Sequence, residues 1–173
     1  MSAYIECTHN KQWSAPGSTA CTSCEKNYEC FVGYSVKCKY NYYSVVGDYE
    51  CHLCPEGKSC STGDPTVQTS CTAGRYSPAG SMECYTCPKG HKCPHISMSR
   101  PIPCQPGEYQ DLTGQTSCTP CAITTYSNVK GTITCNTLPN GHYSLTTKGV
   151  ALPCPKGTYP NAAKTGCQAC TAG

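Results

Sequence analysis

Apolar side chains are sparse along this chain and fall into no long pattern. Leu, Ile, Val and Phe number about eighteen among 173 residues. No stretch sets them at the three- and four-residue spacing of an amphipathic helix, and no run approaches the roughly 20 residues of a membrane helix. Cysteine, an aromatic and glycine recur instead, inside loops closed by two cysteines thirteen or fourteen positions apart. Six such loops superpose: "CTHNKQWSAPGSTAC" (7–21), "CKYNYYSVVGDYEC" (38–51), "CTAGRYSPAGSMEC" (71–84), "CQPGEYQDLTGQTSC" (104–118), "CAITTYSNVKGTITC" (121–135) and "CPKGTYPNAAKTGC" (154–167). Five carry a Tyr five places after the first Cys (Tyr43, Tyr76, Tyr109, Tyr126, Tyr159), and the first has Trp13 one place later. Five carry a Gly four places before the closing Cys (Gly17, Gly47, Gly80, Gly114, Gly131), whereas the last has Gly166. The third residue after the first Cys is Asn10, Asn41, Gly74, Gly107, Thr124 or Gly157, and Asn and Gly tolerate positive φ. The pattern predicts a turn after the first Cys, a short strand bearing the aromatic, and a glycine turn. A second short strand then ends at the closing Cys, with a disulfide across the open end.

A shorter unit follows three of these loops: "CEKNYEC" (24–30), "CPEGKSC" (54–60) and "CPKGHKC" (87–93), with Asn27, Gly57 or Gly90 third after the Cys. The order is long loop, two residues, short knuckle, connector. Repeats begin at Cys7, Cys38, Cys71 and Cys104, spaced 31, 33 and 33 residues apart, and a fixed period of this size marks an array of modules. The chain divides into a lead-in (1–6), repeat 1 (7–37), repeat 2 (38–70), repeat 3 (71–103), an atypical repeat 4 with two long loops (104–153) and a truncated repeat 5 (154–173). In repeat 4, Cys121 opens a second long loop that closes at Cys135. Residues 136–153 then run without cysteine, and Asn140-Gly141 stands there as a hairpin-turn signal between short β-prone runs. The expected fold is small, disulfide-rich and mostly coil with short β-hairpins, an elongated linear array without a central hydrophobic core.

If Cys121 pairs forward with Cys135, Cys118 pairs back with Cys104, and 118–121 becomes a junction between two bridges. Analogy among the loops then gives Cys7–Cys21, Cys38–Cys51, Cys71–Cys84, Cys104–Cys118, Cys121–Cys135 and Cys154–Cys167, with knuckles Cys24–Cys30, Cys54–Cys60 and Cys87–Cys93. Sequence alone leaves connectivity open. A second scheme runs each knuckle cysteine to the next repeat, as in Cys60–Cys71. Cys170 is left over, which implies an intermolecular bond, a free thiol or a partner beyond residue 173, as in a chain that continues.

Composition supports a fold held by cross-links. Nineteen residues are Cys, a disulfide-scaffold density. So few aliphatics cannot offset chain entropy by burial, so thirteen Tyr and one Trp are left for local packing. The formal net charge of +3 is too weak for a nucleic-acid footprint. "MSAYIECTHN" has neither the basic nor the apolar region of a secretory leader, yet disulfides need an oxidising compartment. The expectation is a removed leader or a piece of a longer chain. No N-x-S/T sequon occurs, and the abundant Ser and Thr leave room for O-linked glycan.

The motif C-x-x-G-x-Y…G-x-x-x-C-x-x-C-P-x-G-x-x-C resembles the ephrin-receptor-like cysteine-rich repeat. It is carried best by "CPEGKSC", "CTAGRYSPAGSMECYTCPKGHKC" and "PCQPGEYQDLTGQTSCTPC". The long loop alone is similar to the first disulfide module of tumour necrosis factor receptor cysteine-rich domains. The likeness covers nearly the whole chain, although Glu25 stands where Pro is usual and repeat 4 lacks its knuckle. It implies an extracellular, disulfide-stacked rod of the kind found in receptor stalks, secreted matrix proteins and surface proteins of single-celled eukaryotes. Fold analogy leaves function open among these.

The candidate chemistry is thin. Five C-x-x-C pairs (21/24, 51/54, 84/87, 118/121, 167/170) could build a zinc ribbon, but the distant cysteine at constant loop length is a disulfide feature. His91 and His95 read as loop histidines, so no metal and no cofactor is expected. A redox C-x-x-C needs a strand–helix frame, and no G-x-S-x-G or H-E-x-x-H occurs, so no enzyme is expected. The repeat tyrosines read as packing, whereas Tyr28, Tyr34, Tyr40, Tyr42 and Tyr49 form the candidate contact patch, since interfaces favour Tyr. The expected role is an extracellular scaffold, a segment of a coat, stalk or filament whose partners are further repeats or neighbouring protomers. The alternative is a receptor-type ectodomain binding a protein ligand along its side, with 121–153 as the natural place for specific contacts.

Overall fold

In the computed structural model, residues 7, 12–14, 17–31, 34–60, 64, 66–145 and 149–171 are described. Ten two-stranded antiparallel sheets account for the secondary structure, and there is no helix among the described residues. Gln12–Trp13 pairs with Thr22–Ser23, Tyr28–Phe31 with Tyr34–Lys37, Tyr42–Tyr43 with His52–Leu53, Lys58–Cys60 with Gln68–Ser70, and Arg75–Tyr76 with Tyr85–Thr86. His91–Lys92 pairs with Ile102–Pro103, Glu108–Tyr109 with Thr119–Pro120, Thr125–Tyr126 with Asn136–Thr137, His142–Ser144 with Ala151–Pro153, and Thr158–Pro160 with Cys167–Ala169. The fold is small, disulfide-rich and mostly coil. The chain packs as two compact units, Met1–Cys71 with Ser77–Tyr85 and Ser97–Ser99, and Thr72–Tyr76 with Thr86–Ile96 and Arg100–Gly173.

The long loop and the knuckle are two versions of one module. Modules begin at an anchor residue: Cys7, Cys24, Cys38, Cys54, Cys71, Cys87, Cys104, Cys121, Leu138 and Cys154, 14 to 17 positions apart. The third residue on is left-handed in eight of them: Asn27, Asn41, Gly57, Gly74, Gly90, Gly107, Gly141 and Gly157. Thr124 is not, and Asn10 lies outside the described residues. A strand follows, and a residue at its end or just past it is buried in every module from the first to the ninth: Ser14, Cys30, Ser44, Cys60, Ser77, Cys93, Gln110, Ser127 and Ser144. A long loop places Ser or Gln there. A knuckle places its second Cys there and closes the same turn covalently.

The return strand departs from the expectation. It does not end at the closing cysteine but begins at Cys167 in the last loop and after the closing cysteine in the others: Tyr43 pairs with His52, and Tyr109 with Thr119. The ladder runs on to the next anchor, whose N–H donates to the carbonyl of the left-handed residue, and this register moves the strand past the bridge. Cys38 bonds Asn27 in this way at 2.8 Å, and Cys104 bonds Gly90 at 2.8 Å. Two further differences concern turns. Lys164, not Gly166, takes the left-handed position of the last loop (φ 54°). Asn140-Gly141 does not cap a hairpin but precedes its first strand, with Gly141 in the position Gly90 holds in its own knuckle.

Within each unit, neighbouring modules are tied through main-chain atoms. In the first unit Asn27 N donates to Ser44 O (2.9 Å), Gly57 N to Ser77 O (2.7 Å), Gly47 N to Cys24 O (2.8 Å) and Gly80 N to Cys54 O (2.7 Å). In the second, Gly90 N donates to Gln110 O (2.7 Å), Gly107 N to Ser127 O (2.8 Å), Gly114 N to Cys87 O (2.7 Å) and Gly131 N to Cys104 O (2.9 Å). Buried serines add to the link, with the Ser44 and Ser77 hydroxyls donating to the Tyr28 and Lys58 carbonyls at 2.7 Å. Modules also touch the next but one. Gly57 abuts the Ser97 carbonyl, Gly74 that of Gly114, and Gly90 that of Gly131. That second contact, with alternating long and short bridges, makes the sequence repeat at 33 residues although the structural module is half as long.

Among the described residues, the buried hydrophobic ones are nine cysteines and Leu138. The repeat aromatics are half-buried at most, and Tyr159 is exposed. Cystine sulfur therefore takes the place that aliphatic side chains take in ordinary domains.

One ion pair joins alternate modules of the first unit. Lys26 Nζ donates to Asp64 Oδ2 at 2.7 Å, while the Thr66 hydroxyl and N–H donate to Oδ1 at 2.6 and 3.2 Å. Lys26 first, then Thr66, holds the Asp64 carboxyl well below the usual carboxylate range. A depressed native pKa adds stability above the unfolded value of about 4, and that stability is lost as pH falls through the native value. The pair is exposed, so the contribution is small. NMR titration is expected to find Asp64 ionised at pH 3, and Lys26→Met to return it towards the ordinary range. Native titration near pH 4 would contradict this geometry.

Candidate functional site

The sequence candidates are the cysteines and the five tyrosines. Nine disulfides join Cys7–Cys21, Cys24–Cys30, Cys38–Cys51, Cys54–Cys60, Cys71–Cys84, Cys87–Cys93, Cys104–Cys118, Cys121–Cys135 and Cys154–Cys167. This is the local scheme, and Cys60 does not reach Cys71. Cα–Cα separations of 5.6 to 6.0 Å sit in the normal range for cystine. Every C-x-x-C therefore contributes its two sulfurs to different bridges, apart from 167/170. Cys170 is an exposed free thiol whose N–H donates to Gly157 O at 2.9 Å, the bond an anchor makes. No cluster of three or more His, Cys, Asp or Glu fit to hold a metal occurs among the described residues. His91 Nδ1 lies 3.0 Å from the Lys89 carbonyl, and His95 is exposed.

The five tyrosines do not share one surface. Tyr28 and Tyr49 are half-buried, and the Tyr49 hydroxyl accepts a bond from Gln12 N at 2.8 Å. Tyr40, 75 % exposed, lines a cleft of about 280 Å³ with Asn41, Glu83 and Tyr85. Tyr42 lines a different one, of about 260 Å³, with Glu29, Val36, Lys37 and Lys39. Tyr34 stacks on Phe31, centroids 4.9 Å apart and planes 17° from parallel.

The longest hairpin explains this division. Its register sets Phe31 opposite Tyr34, Glu29 opposite Val36 and Cys30 opposite Ser35. Cys30 is buried, so alternation turns Glu29, Phe31, Tyr34 and Val36 outward. Phe31, Tyr34 and Val36 are 42, 54 and 49 % exposed. Together with Tyr42 across the cleft they form an apolar ridge flanked by Lys37 and Lys39. Composition pointed to tyrosine alone and missed Phe31 and Val36. The period-2 pattern of "YECF" against "YSVK" was the available signal.

What this surface can do is bind. It offers aromatic faces, a shallow cleft and mixed charge. The oxidised cysteines belong to an oxidising compartment. No helix among the described residues is long and apolar enough to cross a membrane. No family model matches the chain, and no curated protein matches it.

Proposed function

We propose that the chain is an extracellular scaffold, a segment of a surface coat, stalk or filament. The observation that carries this reading is the link between modules. It recurs on the same backbone donors and acceptors in both units, for instance Gly57 to Ser77 and Gly90 to Gln110. Such a link tolerates almost any exposed side chain, so the array can lengthen and its surface can vary without loss of fold. The resemblance to ephrin-receptor-like and tumour necrosis factor receptor modules supports an extracellular setting. Cys170, exposed and unbridged, supports a cross-link to a neighbouring protomer.

The Phe31–Tyr34–Val36 ridge favours a second reading, a receptor-type ectodomain that takes a protein ligand along its side. Exposed aromatics stacked in a ridge are interface features. Electron microscopy of the native material separates the two. Fibres, sheets or a coat layer are expected. Dispersed monomers that hold one soluble partner, and lose it on Phe31→Ser with Tyr34→Ser, would overturn the scaffold reading.

A further inference from the structure

Nine of the ten modules begin at a cysteine held in a disulfide, and the tenth does not. Leu138 and Ser144 stand where Cys87 and Cys93 stand in their knuckle, and all four are buried. The main chain is bonded as in the other modules. Leu138 N donates to Thr124 O (3.2 Å), Cys154 N to Gly141 O (2.8 Å) and Ser144 N to Lys164 O (2.9 Å). Strand His142–Ser144 pairs with Ala151–Pro153. The anchor, the left-handed third residue, the buried seventh residue and the strand pairing are those of a knuckle, and the covalent closure is absent.

A disulfide bypasses the loop that it closes, so tension along the chain extends only the intervals between bridges. The longest such intervals separate Cys60 from Cys71 and Cys93 from Cys104, eleven positions each, and Cys135 from Cys154, nineteen positions. Fully extended, nineteen residues span about 65 Å and eleven about 38 Å. A six-residue closure would also restrain the opened chain by a factor of roughly 50, and this module lacks it. The geometry points to the Leu138–Ser144 module as the extensible element of the array, the place where a pulled chain opens first and farthest. This deepens the scaffold reading by naming where the scaffold yields. It is a property of one chain, so it can fail while fibres are still found.

Single-molecule pulling of the full oxidised chain by its ends tests it. The expected first opening lengthens the contour by about nineteen residues' worth, about 65 Å less the folded span. Oxidised Leu138→Cys with Ser144→Cys is expected to remove that step, leaving none longer than about eleven residues. Leu138→Ala, with its buried side chain cut back, is expected to open at lower force with unchanged step length. A wild type without the long step would overturn the assignment. So would survival of that step in the bridged variant, or a Leu138→Ala variant that opens at wild-type force.

Discussion

Reduction of all nine disulfides in native buffer is expected to unfold the chain outright. Each long loop of thirteen or fourteen positions restrains the unfolded chain by about 3 kcal/mol, and each six-position knuckle by about 2 kcal/mol. Together these exceed the roughly 5–15 kcal/mol by which ordinary domains are stable. Little else could compensate. Apart from cysteine, Leu138 is the one buried hydrophobic residue among those described, and it supplies about 1.5–3 kcal/mol. The module links are a few backbone bonds each, worth about 1 kcal/mol net apiece, and they need the turns that the bridges hold. NMR amide dispersion should therefore collapse on reduction, as titratable thiols rise from the one of Cys170 to nineteen. A reduced chain that kept its native dispersion would show that turns and hairpins suffice. Eight or more thiols before reduction would remove the disulfide framework itself.

The parts of this fold that were legible in the sequence are those in which one residue type has one job. Cysteine at constant spacing gave the loops and knuckles, and Asn or Gly third after the anchor gave most of the left-handed turns. The single module was hidden because its buried seventh residue changes identity. Ser44, Ser77 and Ser127 fill it in long loops, and Cys30, Cys60 and Cys93 fill it in knuckles, so two chemistries mask one backbone. The same masking made 136–153 look like a departure, since Leu138 and Ser144 carry no sulfur. The return strands were misplaced because two exposed residues such as Thr119 and Pro120 have no pattern of their own. They are strand because the turn before them dictates the register. The contact patch was half legible. Tyrosine counts located the first unit's hairpin, but alternation, not composition, decides that Tyr34 faces out while Tyr28 is drawn in.

Gly90→Ala should be among the most damaging single substitutions outside the cysteines. Gly90 sits at φ 75°, where an L-residue pays about 1–2 kcal/mol. A Cβ there would also drive into the carbonyl oxygen of Gly131. That oxygen belongs to backbone whose own N–H is bonded to Cys104 O, so it cannot step aside without breaking a module link. Overpacking of this kind costs about 1–3 kcal/mol more, for a combined loss of about 2–5 kcal/mol. Gly157→Ala is the control. It has the same position in its module and φ 79°, but nothing lies within 4 Å of the added methyl, so about 1–2 kcal/mol is expected. Native-state hydrogen exchange can read both locally, because the Cys104 amide bonds to the Gly90 carbonyl and the Cys170 amide to that of Gly157. Exchange at Cys104 should quicken by about five- to 150-fold more in Gly90→Ala than exchange at Cys170 does in Gly157→Ala. Equal acceleration would mean that the left-handed turn alone sets the need for glycine. The approach of alternate modules would then not be what holds the 33-residue period in place.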